Sequence, residues 1–83
     1  MQHDLKIWPE HFQPVSTGDK KAELRHDDRG FQVGDILRLR EWIKEENHYT
    51  GREVIVGVTH KLDVTLFAGG QSDLCMLSIE LIQ

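Results

Sequence analysis

The chain has 83 residues, which is below the usual size of a domain and leaves room for one compact unit with one modest core. Its hydrophobic fraction of 39% and charged fraction of 29% are ordinary for a folded protein and exclude an intrinsically disordered chain. The formal net charge of −4 excludes a protein that coats duplex nucleic acid through a broadly basic surface, so any nucleic-acid contact must be local.

The first part of the chain predicts a strand followed by a short helix. Residues 3–7 alternate polar with apolar side chains, which is typical of a short strand. Residues 10–17 carry two apolar side chains three positions apart, and Gly18 stands where a left-handed helix cap is needed. Because Pro14 disrupts a helix interior, we expect it in the first turn of this helix.

The second strand is predicted at residues 21–26. In this segment Ala22 and Leu24 point to one side, whereas Glu23 and Arg25 point to the other. A strand that covers a core usually buries its apolar side. We therefore expect Ala22 and Leu24 to face the core and the charged side chains to face outward.

Turns and two further strands follow. Residues 26–30 and 33–35 have the composition of turns, and residues 36–42 predict the third strand. A charged hairpin loop is predicted at residues 44–51, and the fourth strand at residues 53–60, where three valines share one face.

The last part of the chain predicts a fifth short strand at residues 64–67, a turn at 69–73 and a core strand at 74–82. The side chains that we expect this last strand to direct inward are Cys75, Leu77, Ile79 and Leu81. Five or six short strands with one or two short helices favour a closed or nearly closed barrel, because closure removes exposed strand edges. The predicted fold class is therefore mainly β (α+β), one small β-barrel domain over residues 1–83.

The segment from Gly18 to Arg25 concentrates residue types that bind nucleotides. Lys20 and Lys21 lie at the predicted turn. Glu23 and Arg25 are two positions apart, on one face of the predicted strand. A guanidinium fork suits a phosphate or a base edge, an ammonium group suits a phosphate, and a carboxylate accepts hydrogen bonds from an exocyclic amine. The same charges also fit an exposed ion-pair cluster that contributes about 0 to 1 kcal/mol, so this pattern leaves both interpretations open.

The segment Gly18-x-Lys20-x-x-Glu23-x-Arg25 resembles the G-x-K-x-x-E-x-R signature of the ASCH (activating-signal-cointegrator homology) domains at every motif position. The resemblance implies a PUA-like barrel with a helix packed over one end. It also implies a cleft in which the motif residues face outward, where the superfamily is proposed to bind RNA.

The flanking sequence extends this resemblance over essentially the whole chain. Trp8-Pro9 followed by Phe12, and then residues 29–35 before a hydrophobic strand, are similar to a short, phage-associated ASCH subgroup of uncharacterised function. The resemblance makes a non-catalytic RNA-binding module our leading hypothesis.

The resemblance also implies a catalytic alternative, because some ASCH relatives are small amidohydrolases that deacylate a modified cytidine with a lysine, a threonine and a glutamate. Lys20 matches the lysine, but Glu23 occupies the place of the threonine, so the nucleophile of those enzymes is missing. Glu80 is the only nearby match for the glutamate. Lys20 beside Glu23 retains the groups for acid–base chemistry.

A second basic strip is predicted on the third strand. Arg38 and Arg40 share a face that Trp42 continues. This strip suits an RNA strand, but alternating charge is ordinary on a strand and is more typical of a solvated outer face. Trp8 and Tyr49 are further candidates for base stacking, although we expect Trp8, beside a proline, to lie in the core. The predicted RNA-binding residues are Lys20, Lys21, Glu23, Arg25, Arg29, Arg38 and Arg40.

We expect no metal and no cofactor, because the five histidines lack zinc-site spacing and no P-loop pattern occurs. The one cysteine, Cys75, excludes an intrachain disulfide. No stretch has membrane-spanning length and no secretion signal is recognised, so we expect a soluble, cytoplasmic protein. The acidic net charge and small size leave a third alternative, a module that binds a protein partner.

Overall fold

A computed structural model describes residues 1–64 and 73–82, which form a five-stranded sheet and one α-helix. The elements in chain order are β1 (Gln2–Ile7), α1 (Pro9–Ser16), β2 (Ala22–His26), β3 (Ile36–Ile43), β4 (His48–Asp63) and β5 (Leu74–Leu81). The predicted mainly β class is confirmed. The strand predicted at residues 64–67 and the turn predicted at 69–73 lie largely outside the described residues.

The strand order is β1-β3-β4-β5-β2, with β1 parallel to β3 and the other neighbours antiparallel. Strand β4 has 16 residues and pairs with β3 through its first part and with β5 through its second. The sheet therefore curls around β4 into a half-barrel with β1 and β2 at its two edges. Nη2 of Arg25 on β2 donates to the carbonyl of Lys6 on β1 at 2.6 Å, across the open side that we call the seam.

Helix α1 covers one end of this half-barrel. Its Phe12 and Val15 are buried, and Gly18 has a φ of 85°, as the predicted left-handed cap requires. The prediction that Pro14 lies in the first turn is wrong, because Pro9 already occupies that turn. A proline in the first turn loses no hydrogen bond, so the helix begins at Pro9, whereas Pro14 lies inside the helix and has no amide to donate to the carbonyl four residues earlier.

The core fills the concave face of the half-barrel. Among the described residues, the 13 buried apolar side chains come from every strand but β2, from α1 and from the loop before β3. Cys75 is 1% exposed, as predicted, and burial raises the pKa of its thiol. Leu81 is the exception to the predicted inward set, because it lies at the end of β5 and is 40% exposed.

Strand β2 presents the opposite face from the one expected. Leu24 is 52% exposed, whereas Glu23 is 5% exposed and faces the concave side with Arg25. Alternation identifies the side chains that share a face, but it does not say which face is buried. The carboxylate of Glu23 is tolerated inside because Arg25 and Lys20 neutralise it.

The β3–β4 hairpin contains a bulge around a buried carboxylate. Strand β4 begins at His48, five residues before the predicted start, and residues 50–52 oppose the single residue Glu41. Glu41 is 2% exposed and accepts hydrogen bonds from Thr50 at 2.7 Å and from Arg52 at 2.9 and 2.8 Å. Because the Arg52 guanidinium also lies 4.8 Å from the ring of Phe12, the bulge ties the hairpin to α1.

The loop from residue 27 to 35 is fastened at its first half by Lys61. The Lys61 ammonium donates to Asp27 at 2.6 Å and to the carbonyl of Phe31 at 2.9 Å. Asp27 in turn accepts from the Phe31 amide at 2.9 Å. The hydrogen bond with Lys61 lowers the pKa of Asp27, and the same bond raises the pKa of Lys61.

The second half of the loop is fastened by Asp35. His3 Nε2 donates to Asp35 at 2.9 Å, and the amide of Gln32 donates at 3.0 Å. The ring of His3 meets Phe31 edge-on at 4.9 Å, so the loop buries Phe31 against β1. The hydrogen bonds from His3, Gln32 and the amino group of Met1 lower the pKa of Asp35 to about 2.

Lowering the pH should weaken the contacts that Asp35 makes with the loop and with β1. Because the pKa of Asp35 is lowered from 3.8 to about 2, its ionised form stabilises the fold above the higher value, and this contribution is lost as the pH falls through the interval. We expect Asp35→Asn to be less stable than the unchanged protein at neutral pH, with the difference shrinking as the pH falls below about 4.

Urea unfolding at a series of pH values measures this difference. Asp28→Asn is the control, because the Asp28 side chain is 70% exposed. A difference between Asp35→Asn and the unchanged protein that stays constant down to about pH 2 would contradict the role of Asp35.

Replacing Lys61 by Met keeps the aliphatic stem and removes the ammonium group. We expect the free energy of unfolding to fall by about 1.5 to 3 kcal/mol, the range for hydrogen bonds to charged groups. The amides of residues 27–35 should then exchange hydrogen faster than those of β3, which mass spectrometry measures. Lys44→Met on the hairpin turn is the matched control. If the amides of residues 27–35 exchange at an unchanged rate in Lys61→Met, Lys61 does not hold this loop.

Candidate nucleic-acid interface

A cleft of about 680 Å³ opens along the seam, and we call it the seam cleft. It is bounded by β1, by α1, by β2 and by the loop after β2. Its polar and aromatic lining residues are Lys6, Trp8, His11, Lys20, Glu23, Arg25, His26, Asp28, Arg29 and Phe31. The cleft thus brings together four of the seven predicted RNA-binding residues, Lys20, Glu23, Arg25 and Arg29.

Arg25 is held in one orientation by two partners. Its Nε donates to Glu23 Oε2 at 2.9 Å, and its Nη2 lies 2.8 Å from the same oxygen. Nη2 also donates to the Lys6 carbonyl. With 24% of its side chain exposed, the guanidinium remains accessible, and its Nη1 makes no hydrogen bond within the described residues.

Lys20 lies beside this pair, directly after the helix. The turn that Gly18 permits lets the Lys20 amide donate to the Pro14 carbonyl at 2.9 Å, which fixes the start of the motif against the end of α1. The Lys20 ammonium lies 3.7 Å from Glu23 Oε1 and donates to Nδ1 of His11 at 3.3 Å. Two cations therefore share one buried carboxylate, which leaves a net positive charge here.

An indole forms part of the cleft wall. Trp8 is 46% exposed, so the expectation that it lies in the core is wrong. It caps the start of α1, beyond the last buried residue of β1, and its ring stacks on His11 with centroids 6.3 Å apart and an interplanar angle of 27°. Lys44 lies 5.1 Å from the Trp8 ring. The exposed indole gives the cleft a surface on which a base can stack.

The far side of the cleft is formed by the loop after β2. Arg29 is 45% exposed at its side chain, and its nearest acidic partner, Asp28, is 4.0 Å away. His26 lies 3.1 Å from Asp73. Phe31, which lies in the loop that Lys61 and Asp35 hold, is buried and also lines the cleft. Arg29 is thus a weakly paired cation opposite Lys20 and Arg25.

Lys21 lies outside the seam cleft. It lines a second cavity of about 490 Å³, together with Val15, Gly18, Lys20, Val56, Thr59, Ile79, Glu80 and Leu81. Lys20 is the one described residue that lines both spaces.

Arg38 and Arg40 lie on the convex face of the sheet, opposite the core. Arg38 donates to Glu53 at 2.7 Å and contacts Asp4 at 3.4 Å, and the Arg40 guanidinium lies 3.9 Å from the ring of Tyr49. Trp42 shares this face, as predicted. The fold therefore separates these two arginines from the seam cleft and gives them other partners.

Three features of the cleft were not predicted from the sequence. His11 was not singled out, and its lone position on an exposed helix face gives no signal. The Lys6 carbonyl is a backbone group that no residue pattern identifies. The cleft position of Trp8 was misjudged because tryptophan is highly buried on average. Within the described part of the chain, no three His, Cys, Asp or Glu residues are arranged to hold a metal ion, and no helix is suited to cross a bilayer.

Known proteins are similar to this chain in sequence or in fold. The chain is 36% identical over 63 residues to the "uncharacterized 12.9 kDa protein in GpA 3′region" of Escherichia phage P2, a match that covers 76% of this chain and 56% of the phage protein. This chain thus spans little more than half of that relative. The fold is similar to the crystal structure of hypothetical protein PH0355, with a TM-score of 0.69 and 15% identity over 99% of this chain and 100% of that one. The family described as a domain of unknown function (DUF3850) matches residues 2–79, and the chain belongs to this family.

Proposed function

We propose that this protein binds RNA through the seam cleft, by local contact with an unpaired stretch of a single-stranded or structured RNA. The observation that carries the proposal is the fixed guanidinium of Arg25, held by Glu23 and the Lys6 carbonyl with Lys20 alongside. A guanidinium that is already oriented loses little conformational entropy when it meets a phosphate.

The size and lining of the cleft suit a nucleotide. Its volume of about 680 Å³ lies within the usual range of small-ligand sites, about 300 to 1,000 Å³. Lys20, Arg25 and Arg29 supply positive charge for phosphates, and Trp8 supplies a ring for a base. The net charge of −4 fits a contact confined to this cleft rather than a broad surface.

The roles of the motif residues follow from their contacts. Both oxygens of Glu23 already face cations, so Glu23 positions Arg25 instead of reading a base. Lys20, Arg25 and Arg29 hold phosphates, with Lys21 just outside the cleft as a further contact. The resemblance of this segment to the ASCH signature, whose superfamily is proposed to bind RNA, supports the same assignment.

RNA affinity should depend on the charge of Arg25. Because Arg25→Ala alone would leave Glu23 buried without its main partner, we combine it with Glu23→Gln, which removes both charges. We expect this double variant to bind RNA at least about tenfold more weakly. The slope of log K against log salt should fall in magnitude by about 1, as the loss of one phosphate contact requires. Fluorescence anisotropy with labelled single-stranded and hairpin RNAs over a salt series measures both quantities.

Arg40→Ala is the matched control, because it removes one positive charge from the convex face. We expect a smaller loss of affinity from it than from the double variant. Because the double variant also loses the bond from Arg25 to the Lys6 carbonyl, its thermal unfolding should shift to lower temperature, and affinities are compared where circular dichroism shows that each variant is folded. Absence of binding by the unchanged protein at low salt would refute the proposal, and so would full affinity in the double variant.

A hydrolase of acylated cytidines is the second candidate, and the distance of 3.7 Å between Lys20 Nζ and Glu23 Oε1 is the observation that favours it. Against it, the described lining of the seam cleft includes no Ser, Thr or Cys that could act as the nucleophile. We therefore expect no free cytidine when the protein is incubated with acylated cytidines and the products are separated by chromatography. Turnover that disappears in Lys20→Ala would show the opposite and favour the enzyme.

A further inference from the structure

The second cavity adjoins the seam cleft at Lys20, the residue that lines both. It lies between the end of α1 and strands β4 and β5. Its volume of about 490 Å³ is again within the range of small-ligand sites, about 300 to 1,000 Å³. Its apolar walls are Val15, Val56, Ile79 and Leu81. The cavity is thus large enough for a base and has the apolar walls against which a base packs.

The lining of the second cavity includes two consecutive lysines, Lys20 and Lys21. The carbonyl of Lys21 accepts a hydrogen bond from the amide of Ile79 at 2.9 Å, which fixes this residue beside β5. Lys20 reaches toward Glu23 and His11 in the seam cleft, whereas Lys21 lines only the second cavity. A polyanion that leaves the seam cleft past Lys20 therefore meets Lys21 next, and this charge pattern is complementary to a continuing phosphate backbone.

The second cavity also contains one carboxylate, that of Glu80, and the hydroxyl of Thr59. Thr59 is the extra residue at the bulge where β4 pairs with β5, and it donates to the carbonyl of Ser78 at 3.3 Å. A carboxylate beside lysines repels a phosphate but accepts hydrogen bonds from an amine. Cytosine and adenine carry an exocyclic amine on their base edge, whereas uracil presents a carbonyl oxygen there.

We propose that the second cavity holds the nucleotide next to the one in the seam cleft, and that Glu80 favours a base with an exocyclic amino group. This inference rests on the proposed RNA binding of the seam cleft. Lys20 and Lys21 contact the phosphates on either side of the junction, and the apolar walls pack against the base. The protein reads two neighbouring nucleotides, one on each side of Lys20.

Calorimetry with CMP, UMP and the 5′-phosphorylated dinucleotides pCpC and pUpU, called CpC and UpU below, tests this directly on the 83-residue chain. The 5′-phosphate supplies the second phosphate that the two lysines require. We expect CpC to bind at least about tenfold more tightly than CMP, because a second base is packed. Lys21→Ala should lower the affinity for CpC several-fold and leave that for CMP unchanged. Glu80→Gln should reduce the preference for CpC over UpU while the ratio of CMP to UMP stays the same.

Glu46→Gln on the hairpin turn is the control for Glu80→Gln, and Arg40→Ala is the control for Lys21→Ala. If CpC binds no more tightly than CMP, the second cavity is not a nucleotide site. If Glu80→Gln leaves the preference for CpC over UpU unchanged, Glu80 does not select the base. In either case binding of CMP that is lost in the Glu23→Gln, Arg25→Ala double variant would still support the seam cleft. If mononucleotides, dinucleotides and longer RNAs all fail to bind, both proposals are overturned.

Discussion

The hydrogen bond from Arg25 to the carbonyl of Lys6 joins the two edges of the half-barrel. Strands β1 and β2 are far apart in the strand order, and no backbone ladder joins them. Arg25 can span this gap because Glu23, two residues earlier on the same face, holds its guanidinium. The motif therefore has a structural role in the fold as well as its proposed role in binding, and substitutions must separate the two effects.

Ion pairs stabilise the other junctions of this small domain. Glu41 and Arg52 join the hairpin to α1, Lys61 and Asp27 hold the loop before β3, and Asp35 holds the end of that loop to β1. A chain of 83 residues buries a modest apolar core, so irregular segments need additional partners to stay ordered. The loop that Lys61, Asp27 and Asp35 hold carries Arg29, so these three residues also shape the seam cleft.

Local patterns predicted the elements, but long-range contacts decided their orientation. Gly18 marked the helix end correctly because only a residue without a side chain adopts its φ readily. Alternation correctly placed Glu23 and Arg25 on one face, but the apolar Leu24 suggested the wrong buried side. A pattern of polar and apolar residues does not show that two opposite charges can neutralise each other inside the fold. The strand order and the contact with Lys6 depend on residues distant in sequence, which one sequence does not reveal. The position of Pro14 was wrong because an earlier proline already began the helix.

Trp8 lines the seam cleft, whereas Trp42 lies on the convex face of the sheet. On the convex face, Arg38 already pairs with Glu53, so a phosphate that binds Arg38 must compete with this carboxylate and gains less binding free energy. The most direct test is therefore an NMR titration of the ¹⁵N-labelled protein with a short single-stranded RNA, following the two indole signals and the Nε–H signal of Arg25. RNA binding in the seam cleft predicts that the Trp8 and Arg25 signals shift while Trp42 stays unchanged. A shift of Trp42 with Trp8 and Arg25 unchanged would contradict it.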